Sequence, residues 1–512
     1  MSEPLGAHTD VLDQVAQSLS TGALRMQDIR TLAQRALFEL QAGWNGSDLL
    51  QLTHQWEQQA SPQLATASTS LDRCATRLRA QSTAQRETSR SHAAGSGLFP
   101  VATLPLLLGQ PTQLPAAAAA PAMEAWGPPL MAPPLRGSPG DNATWWKALS
   151  PQQQRLVIDE HPEWIGNRDG VDFTARDQAN RTLLNIDRGR LVAERVRLEA
   201  GLADNPFGGA FTNDDAALDH VKDKLVALAA IGSTLAKTGN RQLLVLDMSA
   251  ERAQAAIARG NVDTANDVAV FIPGLSANVT DGLTFYDDTM GQLQRRAEVE
   301  SNRAGPTLQA TAAVVTWIGY QAPQLGWELI GDNSVADDHA ARRGAALLVP
   351  FLQGIGSARG HDVHLTLLGH SYGSTLAGLA LRQNTGVDDV VFFGSPGIGT
   401  SHLQDLRLDG GHAYYIEARQ DAVGDLGYFG VDPSHLAGIE HASAKASTVA
   451  DPVTGQIRHL KEVIGHSSYL DDDSTSQYNM SVVVGGVPDE RVHDSGEGLG
   501  DVLSWPVPGT YR

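Results

Sequence analysis

The sequence Gly-His-Ser-Tyr-Gly at positions 369–373 constrains this chain more than any other segment. It fits the pattern Gly-x-Ser-x-Gly, in which a serine lies on a sharp turn between a strand and a helix. The chain has 51 glycines, so the information comes from the flanks: an apolar strand pattern at 364–368 and a small-residue helical pattern at 374–381. Glycines permit the tight turn and the close helix–strand packing that push the serine hydroxyl outward. The segment therefore predicts a nucleophile at Ser371.

Apolar runs of strand length alternate with helical patterns from about residue 241 onward. The predicted strands lie at 243–246, 268–272, 313–317, 363–368, 390–393 and 413–416. Such alternation is typical of a mostly parallel sheet covered by helices on both faces. We therefore predict an α/β fold for this part of the chain.

Composition restricts the class of partner. The chain has 512 residues, 42% of them hydrophobic, which suffices for two or three domains with a sizeable core. A formal net charge of −20 argues against nucleic acid or an anionic membrane surface as the main partner. The single cysteine, Cys74, excludes an intramolecular disulfide and a cysteine-rich metal site. Residues 354–356 lack the third glycine of a dinucleotide fingerprint, and 471–473 lack the spaced ligands of a calcium loop, so we predict no cofactor and no metal.

No segment has the pattern of a signal peptide or a membrane span. Residues 1–30 lack a basic segment followed by an apolar run. The most apolar region, 98–125, is interrupted by prolines at 100, 105, 111, 115 and 121, which do not suit a membrane-spanning helix. We predict a cytoplasmic protein, or one exported without a Sec signal peptide.

Shifts in composition divide the chain into five parts. The predicted parts are a helical hairpin at 1–92, a Pro/Ala-rich linker at 93–142, a helical cover segment at 143–240, the α/β domain at 241–485, and a Gly- and Asp-rich tail at 486–512 that we predict to be loosely ordered. Within the cover segment, Ser150 is a predicted N-cap and Pro151 begins the helix that follows it.

The hairpin prediction rests on helical spacing on both sides of a turn at Trp44-Asn45-Gly46. The second helix carries its apolar residues in alternating steps of three and four, at Leu64, Ala67, Leu71, Cys74 and Leu78. This part resembles the small Trp-x-Gly helical-hairpin proteins of type VII secretion. The resemblance implies a helical partner, or self-association, through residues 1–92. The tyrosine-based export signal that accompanies such hairpins is absent, because no tyrosine precedes Tyr286.

A serine hydroxyl becomes a strong nucleophile when a neighbouring base takes its proton, and that base needs an acid to orient it. Residues 369–373 match the nucleophile turn of the α/β-hydrolase fold. In that fold the three residues follow in the chain order serine, acid, histidine. The acid belongs just beyond a later strand. Asp421 follows the strand predicted at 413–416, and Asp425 on the same loop is the main alternative.

The base belongs on a loop still farther along the chain. His466 has small neighbours that would let it approach the serine, and it follows a helix predicted at 457–464. His459 falls within that predicted helix, and His435 comes only a few residues after the acid. We therefore predict His466 as the base.

An oxyanion hole needs two backbone N–H groups directed at the oxygen of the tetrahedral intermediate. Tyr372, directly after the nucleophile, supplies one. The second normally comes from the loop after an earlier strand, and Pro-Gly-Leu-Ser at 273–276 follows the strand predicted at 268–272. We predict Leu275 as this donor. The sequence Trp-Ile-Gly-Tyr at 317–320 follows another strand, and has two interpretations: the lining of an acyl pocket, or an aromatic packing cluster.

With these residues in place, the C-terminal part resembles a family of actinobacterial α/β-hydrolases over about residues 143–480. The segments that carry the resemblance are Trp145-Trp146 with Leu149-Ser150-Pro151, Pro162 with Gly166-Asn167 and Asp169-Gly170, the Arg-Asp-Gln-Ala-Asn-Arg sequence at 176–181, 268–274, 317–320, the Ser371 turn, 394–397, Asp421 and 465–467. The resemblance implies the α/β-hydrolase fold and a Ser-His-Asp hydrolase. It does not imply a substrate.

The sequence thus predicts a serine hydrolase that acts on a carboxylic ester or a related small-molecule acyl substrate. The same residues would also serve acyl transfer to a nucleophile other than water. An alternative from another class is a secretion-associated interaction protein whose hairpin binds a partner and whose hydrolase fold is only a scaffold.

Overall fold

A computed structural model describes residues 56–92, 130–203, 214–304, 310–324, 338–421, 423, 429–451 and 454–494, together with isolated positions between 13 and 53. The chain divides into two compact units, Met1–Pro129 and Leu130–Arg512.

The N-terminal unit contains a long helix, α1 (Ser61–His92), beside helical positions between 13 and 34. The Ser68 hydroxyl donates to the Ala23 carbonyl at 3.0 Å, and Arg86 contacts Asp13 at 2.5 Å. Later residues of α1 therefore contact earlier residues of the preceding segment, as in two antiparallel helices. Leu64, the first residue of the predicted seam, is buried. The Trp-x-Gly turn and the side chains predicted to continue the Leu64 seam (67, 71, 74 and 78) lie outside the described residues.

An eight-stranded sheet organises the second unit. Its strands are β1 (Arg241–Asp247), β2 (Gln254–Arg259), β3 (Asp267–Ile272), β4 (Ala312–Ile318), β5 (His364–His370), β6 (Asp389–Phe393), β7 (Ala413–Ile416) and β8 (Glu440–Ala442). The spatial order is β1-β2-β4-β3-β5-β6-β7-β8, in which β2 is antiparallel to both neighbours and all other pairs are parallel. All six predicted strands are present. The sequence pattern missed β2, which is rich in alanine, and β8, which has only three residues.

Helices cover both faces of this sheet. In chain order they are α2 (Pro139–Ala148), α3 (Pro151–Glu160), α4 (Phe173–Ala203), α5 (Asp214–Ala236), α6 (Val279–Ala304), α7 (His339–Ala358), α8 (Tyr372–Ala380) and α9 (Thr475–Val484). Apolar residues of α7 and α8 form one core with alternate residues of the strands, and residues of α6 and α9 form another core with residues on the opposite face. Residues of α4 and α5 form a third core with residues of β1 and β2. None of the helices in the described part of the chain combines the length and apolar character that crossing a membrane requires.

The structure corrects the prediction of a helix at 457–464. Residues Ile457–Leu460 form a strand, β10, which pairs antiparallel with β9 (Ser447–Ala450) in a separate two-stranded sheet. The apolar residues at 457, 460, 463 and 464 have helical spacing, but residues 457–460 pair with β9, so a tertiary contact decides the structure of this segment. His459 therefore lies on an exposed strand position rather than in a helix.

Two predicted boundaries also differ from the structure. Helix α2 begins at Pro139, before the predicted end of the linker, because Ser138 caps it in a reciprocal capping box with Asp141. At the other end the chain stays packed on α9 past residue 486, where the tail was predicted to begin. The Asn479 side chain accepts from the Val492 N–H at 2.7 Å and donates to its carbonyl at 3.1 Å. The predicted caps at Ser150 and Pro151 are present.

Polar side chains from the cover segment form hydrogen bonds with backbone groups of β1, which has a strand neighbour on one side only. Asp177 accepts from the Leu243 N–H at 2.7 Å, and Asn180 donates to the Leu243 carbonyl at 3.0 Å. Further backbone groups of β1 are contacted by the side chains of Asn167, Arg176 and Arg181. An open sheet edge invites pairing with another chain, so this contact accounts for the 176–181 sequence in structural terms.

Candidate active site

Ser371 lies between the end of β5 and the start of α8 in a strained backbone conformation. Its φ is 53° and its ψ is −131°, which non-glycine residues rarely adopt. A Cβ at position 369 would lie 2.8 Å from the Ser374 Cα, and one at position 373 would lie 2.3 Å from the Ile272 carbonyl oxygen. Both flanking glycines are therefore required by close backbone approach. The strain and the two glycines together form the strand-to-helix turn predicted from the sequence.

The structure brings the three predicted triad residues together. The His466 Nε2 lies 2.8 Å from the Ser371 Oγ, and its Nδ1 lies 2.9 and 3.0 Å from the two carboxylate oxygens of Asp421. Because a carboxylate only accepts hydrogen bonds, this arrangement assigns the imidazole proton to Nδ1 and leaves Nε2 to accept from the serine. The geometry is that of a nucleophile, a base and an orienting acid.

Asp421 is fully buried and accepts two further hydrogen bonds. The Tyr469 hydroxyl donates at 2.7 Å, and the Val423 N–H donates at 3.0 Å. Burial acts to raise the pKa of Asp421. The hydrogen bond and charge of His466, together with the hydrogen bonds from Tyr469 and Val423, outweigh burial and lower the pKa below its ordinary value. A carboxylate in these surroundings stays ionised. Asp425 lies outside the described residues.

Gly394, just after β6, stands against both triad partners. Its φ is 54°, and a Cβ there would lie 2.9 Å from the Asp421 Oδ2 and 3.1 Å from the His466 Nδ1. A side chain at this position would therefore displace Asp421 or His466. The sequence signal for Gly394 is a glycine directly after a buried strand, and that signal alone did not predict a role at the site.

The predicted oxyanion donors flank Ser371 on two sides. Tyr372 is the first residue of α8, where the helix dipole favours negative charge. A Cβ on Gly274 would lie 2.6 Å from the Ser371 Cβ, so the loop that carries Leu275 passes directly beside the serine. The position of this loop therefore fits the second donor.

The aromatic pair after β4 supports that loop. Trp317 and Tyr320 are almost fully buried and stack with ring centroids 6.0 Å apart and an interplanar angle of 9°. The Tyr320 hydroxyl donates to the Pro273 carbonyl at 3.1 Å. Of the two interpretations of 317–320, the structure supports aromatic packing at these two residues.

The opposite end of β5 carries a second histidine held by aspartates. The His364 Nε2 lies 2.9 Å from the Asp389 Oδ2, and its Nδ1 lies 3.5 Å from the Asp267 Oδ1. Burial disfavours the charged ring, but the two carboxylates outweigh it and raise the pKa of His364 to about 10. In the parts of the chain that the structure describes, no group of three or more His, Cys, Asp or Glu residues is arranged to hold a metal ion.

A strained serine, a loop acid and a loop histidine beyond the carboxyl ends of parallel strands define the architecture of the α/β-hydrolases. A family model described as "Alpha/beta hydrolase" matches residues 249–431. An uncharacterized protein of Mycobacterium bovis is 33% identical over 241 residues, which are 46% of this chain and 88% of that protein. An uncharacterized protein of Mycobacterium tuberculosis is 30% identical over 390 residues, 71% of this chain and 58% of its own length.

This chain belongs to the α/β-hydrolase family. Among solved structures, a truncated carbohydrate esterase from gut microbiota is 10% identical and covers 49% of this chain and 97% of its own, with a TM-score of 0.29. The family model and the mycobacterial relatives confirm the resemblance to actinobacterial α/β-hydrolases. The link between residues 1–92 and Trp-x-Gly proteins stays a prediction.

Proposed function

We propose that this protein is a serine hydrolase that cleaves a carboxylic ester or a related acyl compound through an acyl-enzyme. The observation that carries the proposal is the unbroken hydrogen-bond chain from Ser371 through His466 to Asp421, with contacts of 2.8 and 2.9 Å. A structural role needs no strained serine, and the strain at Ser371 directs its hydroxyl to the histidine.

In the first half of the reaction, His466 takes the proton of Ser371 while the Oγ attacks the acyl carbonyl. The N–H groups of Tyr372 and Leu275 bind the oxygen of the tetrahedral intermediate. His466 then gives the proton to the leaving group, which departs and leaves the acyl group on the serine. Asp421 holds the imidazole in the productive tautomer and, with its lowered pKa, stabilises the imidazolium.

In the second half, a water molecule attacks the acyl-enzyme. His466 accepts a proton from that water, and the same N–H groups stabilise the second intermediate. The proton returns to the Ser371 oxygen as the acid product leaves, so the enzyme is regenerated and the atoms balance.

The test is covalent labelling of the purified full-length chain with a fluorophosphonate probe, followed by hydrolysis of p-nitrophenyl esters of increasing acyl length. We expect wild type to be labelled and Ser371→Ala to be neither labelled nor active. Ser233→Ala is a matched control, because Ser233 is an exposed serine on α5. Equal labelling of wild type and Ser371→Ala, or no labelling of folded wild type, would contradict the proposal.

A further inference from the structure

We infer that His370, the residue before the nucleophile, is a positioning residue for His466. It holds the backbone of the base by a hydrogen bond and stacks its ring on one face of the His466 imidazole. The inference rests on the proposed function, since it concerns the same site.

The first observation is a contact between side chain and backbone. The His370 Nε2 lies 3.0 Å from the backbone carbonyl oxygen of His466. A carbonyl only accepts, so the proton of His370 is on Nε2. The neighbouring Gly465 N–H donates to the Arg419 carbonyl at 2.9 Å. The loop that presents the base is therefore held at two consecutive residues.

The second observation is ring stacking. The rings of His370 and His466 stack with centroids 5.0 Å apart and an interplanar angle of 29°. The His370 ring also stacks with the Phe393 ring, with centroids 5.0 Å apart and an interplanar angle of 23°. Its centroid lies 6.0 Å from that of the Tyr469 ring. His370 is paired with Phe393 in the register of β5 and β6, which are interior strands of the sheet. The ring against which the base packs is therefore fixed at an interior strand of the sheet.

The third observation concerns charge. Burial, together with the neighbouring charge of His466, lowers the pKa of His370 to about 3. The ring thus stays neutral when His466 becomes imidazolium during the reaction. A charged neighbour at this distance would oppose the formation of that imidazolium, whereas a neutral ring does not.

Two substitutions separate the hydrogen bond from the packing. His370→Gln keeps an N–H donor at about the reach of Nε2 but removes the ring, and His370→Phe keeps the ring but removes the donor. We expect kcat to stay within about threefold of wild type for His370→Gln and to fall about tenfold for His370→Phe, with KM nearly unchanged in both. A role limited to packing predicts the reverse order. His459→Phe, at an exposed position on β10, is the matched control and should keep the wild-type kcat.

Thermal denaturation of each variant shows whether it folds. If a variant does not fold, a measurement on wild type still tests the inference. ¹⁵N NMR of the histidine rings should show His370 as the neutral Nε2–H tautomer from about pH 5 to about pH 9. An Nδ1–H tautomer, a kcat for His370→Phe equal to wild type, or the reverse order of the two variants would overturn the inference. Failure of the proposed function is distinct, because wild type itself would then neither react with the probe nor hydrolyse esters.

Discussion

The two ends of strand β5 place the same residue types in different surroundings. At its start, His364 lies between Asp267 and Asp389, which begin the strands on either side. Beyond its end, Ser371 meets a histidine and an aspartate that both come from loops. The first histidine contacts a carboxylate on each side, whereas the second contacts a carboxylate on one side and a hydroxyl on the other.

This difference decides what each histidine can do. Burial disfavours the charged form of His364, but the two nearby carboxylates outweigh it and raise the pKa to about 10, which favours a charged ring in an ion pair. His466 has one nitrogen committed to Asp421 and the other directed at a hydroxyl, so it is arranged to exchange a proton. A His–Asp contact alone therefore does not indicate catalysis, and the group at the second nitrogen is the informative one.

The same substitution at each end tests the comparison most strongly. Asp421→Asn should lower kcat by about 10⁴-fold, because an amide stabilises the wrong imidazole tautomer. Esterase kinetics and the rate of fluorophosphonate labelling measure this, and the melting curve shows whether the fold is kept. A loss below tenfold in a folded variant would remove Asp421 from the mechanism.

At the other end, Asp389→Asn should affect stability rather than catalysis. It leaves the charged ring of His364 with a weaker partner and should cost about 2–3 kcal/mol in the free energy of unfolding. Urea denaturation measures that cost. The kcat per folded molecule should match wild type, and a large drop in kcat would mean that the two ends are coupled.

The pH dependence of stability should have opposite signs at the two ends. The folded pKa of His364 is raised, so its stabilisation is complete below its ordinary value of 6.5 and is lost as the pH rises to about 10. The folded pKa of Asp421 is lowered, so its stabilisation is present above the ordinary value of 3.8 and is lost as the pH falls through the folded value. Unfolding free energies of wild type and His364→Gln should therefore converge between about pH 7 and pH 10. A constant difference over that range would contradict the assignment.

A smaller effect than that of Asp421→Asn is expected from Tyr469→Phe. Removing the hydroxyl deletes one hydrogen bond to Asp421, which should raise the pKa of that carboxyl and lower kcat about fivefold at unchanged KM. Tyr478→Phe is the matched control, because its hydroxyl donates to the Glu490 carbonyl instead. Equal kcat values for the two variants would show that Tyr469 serves only packing.

Local sequence patterns were sufficient to predict the turn at Ser371 and six strands of the sheet. The strand-to-helix turn at Ser371 follows from glycines and apolar residues within a few positions, and the six predicted strands follow from apolar runs. Chain order then pointed to Asp421 and His466, because loops that follow parallel strands meet at one edge of the sheet.

Contacts between distant residues were decided only by the tertiary structure. His370 and His466 are 96 positions apart, and Tyr469 and Asp421 are 48 apart, so no local pattern links them. The pattern at 457–464 suited a helix until β9 supplied a partner strand. The sequence by itself pointed to the three residues of the candidate site, because turns and strands depend on near neighbours. The tertiary structure decided which histidine is held as a charged ion pair and which is directed at a serine, because only the packed sheet brings the second partner to each ring.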